Sequence, residues 1–377
     1  MRVVHVTDTF LPKVGGAEIA IDQLVRAMTE LGVECAVLAQ TVRRHPKELD
    51  VPYTLQRYRN PQSSRWAGWW VERHIRRLER RLGPFDVMIG HHAFPPGYAC
   101  VKHSRRNGRP AIIYPRGGDI YEVSRFRKKA GAWRKLSWAL ANASAVVCAS
   151  EAMEHLVRQI VGVSSAEGRT ARIPNGVNVE ELRSECSTSR FASDRRLDCP
   201  FVLGLGRTIR RKGFHLLIDA FERVKDEHPA WKLVIAGEGR DLEPLRAQAG
   251  SLADRVVFTG LVQDADKRYL LQHCRFMAAP SLEESFGNVA LEAMACGKPV
   301  VASRASGFAE IVRHGENGKL VEVGNAPALA HAMGDYMRKD LRDEGEAAAR
   351  TATEHSWKTI ARRYIELIEQ VNRDWQA

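Results

Sequence analysis

Two glutamates stand seven residues apart in a segment that could bind hydroxyl groups. Glu284 precedes a predicted helix over 287–295 and Glu292 lies inside it, so both carboxylates can face one cleft at different depths. Carboxylates accept hydrogen bonds from hydroxyls, so the pair suits a ligand with two polyol parts. Two solvated surface glutamates are the simpler explanation of this spacing. However, Glu292 has Ala, Leu and Met neighbours, where an unpaired carboxylate is costly, which favours a functional site.

Two cations follow a predicted strand earlier in the chain. Arg207 comes directly after the strand and Gly206, and Lys212 stands at the start of a predicted helix. Parallel α/β sheets bind ligands at the carboxyl ends of their strands, so both cations are placed to hold a diphosphate. Arg210 and Arg211 stand between these two cations, and for them a solvated basic loop is a fair alternative to phosphate binding. The phosphate-loop pattern G-x-x-x-x-G-K-[ST] does not occur in the sequence.

A third feature is the glycine pair Gly15 and Gly16, which follows the first predicted strand and opens the first predicted helix. Glycines let the backbone approach a ligand closely, and the N–H groups at a helix start favour phosphate. An ordinary strand-to-helix turn explains the pair equally well, so by itself the motif is weak.

Short apolar runs alternate with helical patterns, which is typical of parallel sheets with crossover helices. Strands are predicted at 2–6, 34–39, 86–90, 111–114, 145–149, 201–205, 232–236, 256–259, 276–279, 299–302 and 318–323. We therefore predict an α/β protein with two tandem doubly wound Rossmann-like domains, 1–183 and 200–356. The polar segment 184–199 is the predicted linker, and 357–377 carries an apolar helical stripe that must pack on something.

Composition excludes several classes of protein. Of the 377 residues, 44% are hydrophobic and 27% are charged, which excludes a disordered chain or a low-complexity fibre. Seven scattered cysteines without a C-x-x-C pair predict reduced cytosolic thiols, not disulfides or a zinc site. No run approaches the roughly 18 apolar residues of a membrane helix. No signal-peptide pattern precedes the first strand, so we expect a cytoplasmic location.

The positive charge is confined to the first half of the chain. Residues 1–180 carry 28 Lys and Arg against 16 Asp and Glu, whereas residues 181–377 carry 29 of each. The basic half points to an anionic partner: a membrane surface, nucleic acid or a phosphorylated substrate. Basic helical patterns with tryptophans at 64–82 and 125–140 suit an anionic membrane, although a core-facing stripe would explain their aliphatic residues. We expect peripheral contact with the inner face of the cytoplasmic membrane.

Together, the motifs resemble those of the family 4 glycosyltransferases with the GT-B fold. The resemblance covers nearly the whole chain and rests on Gly15–Gly16, 173–178, Gly206–Arg207, Lys212–Gly213, 236–239, the two spaced glutamates, 310–312 and 315–318. Each motif is weak alone, but the set in this order and at this spacing is highly specific. It implies a C-terminal helix that crosses back, so that 357–377 completes the first domain.

The resemblance implies a retaining hexosyltransferase that takes its sugar from a UDP- or GDP-sugar and needs no metal or cofactor. Its acceptor would be a glycan or a lipid-linked molecule in the synthesis of cell-envelope polysaccharide, lipopolysaccharide or glycolipid. A nucleotide-sugar epimerase or a sugar phosphorylase on a similar fold is an alternative, but we see no lysine suited to the pyridoxal phosphate of a phosphorylase. A non-catalytic nucleic-acid binder would leave Glu284 and Glu292 unexplained, so nucleic acid is not the expected partner.

The resemblance also implies roles for single residues. Arg207 and Lys212 would hold the diphosphate and stabilise the departing nucleotide, and Glu284 would contact the donor sugar; these are the implied catalytic residues. Cleavage puts negative charge on the leaving phosphate, where a preorganised donor is typically worth about 2.7 to 4 kcal/mol. The remaining donor-binding residues would be Gly15, Gly16, Phe286, Gly287, Asn288 and Glu292, the last at the ribose hydroxyls.

One turn departs from the family pattern. Many relatives have His-Gly-x-Asp where this sequence has Arg116-Gly-Gly-Asp119, so an arginine occupies the place of a histidine near the sugar. Arg116 could orient the sugar, contact the acceptor or bind phosphate, whereas Asp119 matches the family. His91, His92 and His103 are candidate substitutes, but packed or surface histidines are more common.

The spacing Asp264-x-Asp266 is similar to a metal-binding pattern. Because the pair follows a predicted strand and begins a predicted helix, helix capping is the better interpretation. We therefore predict no metal site.

Overall fold

A computed structural model describes residues 1–13, 15–41, 49–59, 66–121, 124 and 126–376. The chain forms two compact units, one of Met1–Gly176 with Trp357–Ala377 and the other of Val177–Ser356. Val14 of the predicted glycine loop, and Ser64, Arg65 and Arg125 of the predicted basic helical segments, lie outside the described residues.

The N-terminal unit is built on a parallel sheet. Its strands are β1 (Arg2–Thr7), β2 (Glu34–Gln40), β3 (Thr54–Tyr58), β4 (Val87–His91), β5 (Ala111–Tyr114), β6 (Ala145–Cys148) and β7 (Thr170–Arg172). They pair in the order β3-β2-β1-β4-β5-β6-β7. The first six helices are α1 (Gly16–Glu30), α2 (Ala67–Leu82), α3 (Tyr98–Asn107), α4 (Ala130–Asn142), α5 (Glu151–Val161) and α6 (Val163–Ala166).

The C-terminal unit has a second parallel sheet. Its strands are β8 (Phe201–Leu205), β9 (Lys232–Ala236), β10 (Val256–Gly260), β11 (Phe276–Ala279), β12 (Val300–Ser303) and β13 (Gly318–Val321), in the order β10-β9-β8-β11-β12-β13. Its helices are α7 (Val179–Arg183), α8 (Phe214–Val224), α9 (Leu242–Gln248), α10 (Asp264–His273), α11 (Asn288–Ala295), α12 (Ser306–Ala309), α13 (Ala326–Arg338) and α14 (Arg342–Glu354). One core layer joins β8, β9 and β11 to α8 and α13 through Val202, Ile235, Phe276, Phe221 and Met333.

Both sheets have a doubly wound strand order, which confirms the predicted α/β fold class. The direction of winding reverses between β1 and β4 in the first sheet and between β8 and β11 in the second. Ligands of such sheets bind outside the carboxyl ends of the strands at this reversal. The residues that follow these four strands are therefore the first place to look for a site.

The last helix, α15 (Trp357–Gln376), belongs to the N-terminal unit, as the fold class implied. It packs against α1 and buries Ile360, Tyr364 and Ile368. The ring of Tyr364 lies 6.3 Å from the ring of Tyr114 on β5. The apolar stripe seen in the sequence is thus a packing surface within this unit.

The prediction that 184–199 is a linker is wrong. The structure divides the chain after Gly176 and places this segment in the C-terminal unit. Ser189 donates a hydrogen bond to Asp266 at 3.0 Å, and Arg190 forms an ion pair with Asp266 at 3.1 Å. Phe191 and Leu197 are buried. The segment has a polar composition, which suggested a linker. Its anchor, Asp266 on the distant helix α10, leaves no periodic pattern within the segment itself.

None of the helices in the described part of the chain combines the length and apolarity needed to cross a bilayer.

Candidate functional site

The loop after β8 presents both predicted phosphate-binding cations. Arg207 is exposed, and its guanidinium forms no hydrogen bond or ion pair with any residue that the structure describes. A short 3-10 turn, Arg210–Lys212, then leads into Gly213, whose φ of +71° precedes helix α8. A Cβ atom at Gly213 would clash with the carbonyl of Pro280, so only glycine lets this loop approach the loop after β11 so closely.

Lys212 and Glu284 meet at the carboxyl edge of the second sheet. The Nζ atom of Lys212 donates to Oε2 of Glu284 at 2.6 Å, and the two side chains are only 16% and 10% exposed. The N–H of Ser285 donates to the other carboxylate oxygen at 3.1 Å. The two loops are also joined by the N–H of Leu282, which donates to the carbonyl of Arg211 at 2.8 Å. The structure therefore brings together two side chains that the sequence assigned separate roles.

Glu292 lies on α11 and has a different partner. The Nζ atom of Lys267, on α10, donates to Oε1 of Glu292 at 2.6 Å. The other carboxylate oxygen, Oε2, is buried and accepts no hydrogen bond within the described part of the protein. The sequence correctly indicated that this carboxylate needs a partner, but it did not identify Lys267. The only available signal was that Lys267 lies on the helix that follows β10, whose carboxyl end faces the same sheet edge.

The segment 286–288 forms the turn into α11. Phe286 is buried, and Gly287 has a φ of +100° at the position before the helix. Asn288 begins the helix, and the N–H groups of Ala290 and Leu291 donate to the carbonyl of Gly287 at 2.9 and 3.3 Å. The contacts of the backbone N–H groups at 286–288 to a sugar stay a prediction.

The glycine pair opens α1 in the N-terminal unit. Gly16 is the first helical residue, and Gly15 precedes it in an extended conformation. The carboxylate of Glu18 folds back against Gly15, where a Cβ atom would clash with it, and forms an ion pair with Lys13 at 3.1 Å. A phosphate contact by Gly15 and Gly16 stays a prediction, and it would place the phosphate beside this neutralised carboxylate.

Asp8 and His92 follow the two strands at which the first sheet reverses direction. Their side chains form an ion pair at 2.8 Å. Burial opposes the charged imidazole, but the carboxylates of Asp8 and Asp119 outweigh it and raise the pKa of His92 to about 9. His92 also has a φ of +79°, a conformation that is strained for a side chain other than glycine and that clusters at functional sites.

Arg116 and Asp119 occupy the loop after β5. Asp119 is buried, and its two carboxylate oxygens accept hydrogen bonds from the N–H groups of Ala93 at 2.6 Å and Arg116 at 3.0 Å. The Arg116 side chain extends over the ring of Tyr114 and donates to His91. Asp119 thus fixes the backbone of the loop, and the guanidinium of Arg116 is half-buried beside His91 and Tyr114. His103 is packed against Glu79 at 3.0 Å, away from this turn.

In the part of the chain that the structure describes, no group of three or more His, Cys, Asp and Glu side chains could hold a metal ion. The capping prediction for Asp264 and Asp266 is wrong. Gln263 precedes α10, and no side chain caps the helix. Asp266 instead accepts the hydrogen bonds that anchor 189–190.

Two family models match the chain, one in each unit. The model described as Glycosyltransferase Family 4 matches residues 14–181. The model described as Glycosyl transferases group 1 matches residues 187–355. The two matches together include every site residue that the sequence predicted, from Gly15 to Glu292, whereas Asp8 lies outside them.

Curated relatives include enzymes named for lipid and lipopolysaccharide substrates. A phosphatidyl-myo-inositol mannosyltransferase of Mycobacterium leprae is 40% identical over 203 residues. That match covers 53% of this chain and 53% of the relative, so it spans about half the length of the curated protein. The lipopolysaccharide core biosynthesis glycosyltransferase LpsE of Rhizobium meliloti is 28% identical over 350 residues, which cover 88% of each chain.

Solved structures share the fold over the whole length. The crystal structure of Anabaena HepE in complex with UDP matches with a TM-score of 0.78 and 21% identity. The match covers 98% of this chain and 100% of that one. At such low identity the similarity shows the fold alone.

Proposed function

Because the chain belongs to glycosyltransferase family 4, we propose that it moves a sugar from a UDP- or GDP-sugar to a glycan or lipid-linked acceptor. The transfer retains the anomeric configuration and uses no metal. The observation that carries the proposal is the contact between Lys212 and Glu284. It holds a phosphate-binding cation and a hydroxyl-binding carboxylate side by side at the edge where such sheets bind ligands.

Lys212 and Arg207 serve the diphosphate in this proposal. An ammonium group has three N–H donors, and Lys212 gives one to Glu284, which leaves two for phosphate oxygens. When the bond from the sugar carbon to the phosphate oxygen breaks, its electron pair stays on that oxygen. Cations already in place stabilise this charge without reorganisation. The exposed guanidinium of Arg207 adds donors with the planar geometry that suits phosphate.

Glu284 and Glu292 serve the two polyol parts of the donor. Glu284 contacts the hydroxyls of the transferred sugar, next to the cation that holds the diphosphate. Glu292 contacts the ribose, and its buried Oε2 atom, which lacks a partner among the described residues, is the acceptor for a ribose hydroxyl. An oxygen of this kind is costly to bury unpaired, so a donor hydroxyl would recover that free energy.

A lipid-linked acceptor is supported by one face of α2. Trp66 and Trp69 are 57% and 38% exposed, and the exposed side chains of Arg73, Arg77 and Arg80 continue the same face. Val71, Ile75 and Leu78 of the aliphatic stripe of α2 are buried, and the exposed residues of the helix are a tryptophan and arginines. Such a face suits the headgroup region of an anionic membrane. Peripheral contact with the inner face of the cytoplasmic membrane is part of this proposal.

The donor is tested by calorimetry and thermal shift with UDP, GDP, ADP and their common sugar conjugates. We expect selective binding to one nucleotide, with that binding lost in Lys212→Ala. Transfer to a lipid-linked acceptor with the matching sugar donor would then be measured directly. If the wild-type protein binds none of these nucleotides, the proposed function is wrong.

The membrane contact is tested by sedimentation with two kinds of vesicle. One contains phosphatidylcholine alone, and the other also contains about 30% phosphatidylserine, which makes its surface strongly negative. We expect binding only to the anionic vesicles, and at least about threefold weaker binding for the Trp66→Ala and Trp69→Ala double variant. Trp375→Ala is the matched control, because Trp375 is 41% exposed on α15. Equal binding by all variants would contradict a contact through α2.

A further inference from the structure

Arg116 is a cation without a carboxylate partner among the residues that the structure describes. Its Nη2 atom donates to Nδ1 of His91 at 2.7 Å, and its Cζ atom lies 3.8 Å from the centroid of the Tyr114 ring. A long contact of 3.5 Å joins Nη1 to the amide oxygen of Asn175. No carboxylate of any described residue forms an ion pair with this guanidinium, since Asp119 binds the backbone N–H of Arg116 and not its side chain.

His5 and His91 are held neutral beside Arg116. Arginine can only donate, so His91 must accept through Nδ1 and carry its proton on Nε2. That proton is donated to Nδ1 of His5 at 3.0 Å, in a stack with ring centroids 5.2 Å apart. Burial and the nearby Arg116 lower the pKa of His5 to about 3 and the pKa of His91 well below its usual value. The two imidazoles therefore orient the guanidinium and leave its positive charge in place.

The guanidinium keeps unused hydrogen-bond donors. Of its five N–H groups, one bonds His91 and one makes the long contact to Asn175. The Nε atom is buried and has no partner among the residues that the structure describes. The neighbouring cation, the imidazolium of His92, is already paired with the carboxylate of Asp8 at 2.8 Å.

We propose that Arg116 binds an oxyanion, a phosphate or a carboxylate, that the substrate carries at this turn. The inference rests on the proposed function. It names the chemical class of the substrate group that binds to Arg116 in the N-terminal unit. A planar guanidinium with unused donors, oriented by a neutral imidazole and an aromatic ring, is suited to bidentate binding of such a group. The group would belong either to the transferred sugar or to the acceptor, and Arg116 would select charged over neutral substrates.

The first experiment separates this turn from the diphosphate site. The protein is saturated with the nucleotide that it binds, and glucose 6-phosphate, glucuronate and glucose are titrated by calorimetry. We expect the wild type to bind at least one charged probe about tenfold or more tightly than glucose. Arg116→Gln should lose that preference, and Arg116→Lys should keep part of it because the charge remains.

Arg105→Gln is the matched control. Arg105 also lies over an aromatic ring, that of Trp138 at 5.9 Å, and also donates to an amide oxygen, that of Asn142 at 2.7 Å. This variant should keep the wild-type preference. Thermal melting establishes that each variant is folded, and the comparison of charged with neutral probes on the wild type needs no variant.

A second arm identifies the source of the oxyanion. A donor with a neutral hexose and one with the corresponding uronic acid, on the same nucleotide, are compared on the wild type and on Arg116→Gln. If the oxyanion belongs to the transferred sugar, only the uronic acid donor loses affinity in the variant. If both donors bind the variant as they bind the wild type while the free charged probe does not, the oxyanion belongs to the acceptor.

The inference is overturned if the wild type binds no charged probe better than glucose, or if Arg116→Gln keeps the full preference. Either result can occur while nucleotide binding through Lys212 is intact, so the proposed function would survive it. If no nucleotide binds, the proposed function fails, and the probe titrations without nucleotide decide the role of Arg116 separately.

Discussion

The carboxyl edges of the two sheets carry different arrangements of charge on the same strand order. In the C-terminal unit, Glu284 and Glu292 are each paired with a lysine at 2.6 Å. In the N-terminal unit, Arg116 rests on an aromatic ring and bonds a neutral imidazole. The shared fold therefore fixes where the loops emerge, whereas the loops differ in how their charged side chains are paired.

The largest effect that would test this comparison is expected for Lys212→Ala. Removal of a preorganised donor to a developing negative charge typically lowers kcat by about 10²–10³. Lys319→Ala is the control, because Lys319 forms an ion pair of the same length, 2.6 Å, with Asp335 in the same unit. Transfer is followed with the donor identified by binding. If both variants lose activity equally, the Lys212 pair has no special role in the reaction.

The next effect concerns the ion pair between Asp8 and His92 at the N-terminal edge. A pKa raised from 6.5 to about 9 means that the pair stabilises the fold fully below pH 6.5 and loses this contribution as the pH rises through 9. The shift corresponds to roughly 3 kcal/mol. Melting of the wild type and His92→Gln is compared from pH 6 to pH 10. We expect the gap between them to close with rising pH, whereas a constant gap would contradict a charged His92.

The smallest effect is expected for Lys267→Met. Lys267 touches Glu292 and not the diphosphate in our proposal, so its loss should raise the donor KM by about tenfold with little change in kcat, since a hydrogen bond to a charged group contributes about 1.5–3 kcal/mol. Lys267→Arg should restore most of the affinity. Steady-state kinetics separate the two parameters. A fall in kcat comparable to that of Lys212→Ala would make the two lysines equivalent and remove the distinction between them.

The sequence predicted every strand of the second sheet and the five inner strands of the first, because these contain short apolar runs. It missed β3 and β7, whose residues are polar or half-exposed at the edges of the first sheet and show no such run. The motif residues Lys212 and Glu284 were predicted, but their contact was not. Asp8 with His92 and Lys267 with Glu292 were missed for the same reason: the partners come from loops and helices far apart in the chain, and only the folded sheets bring them together.

Helix α15 makes the N-terminal unit discontinuous in sequence, which affects the order in which the two units can be completed during synthesis. Residues 1–176 leave the ribosome first, but the surface that receives Ile360, Tyr364 and Ile368 stays uncovered until all of Val177–Ser356 has been translated. The C-terminal unit, which is continuous, can complete its own core before the N-terminal unit does. The half of the molecule that is made first thus cannot receive its last helix until the other half has been translated.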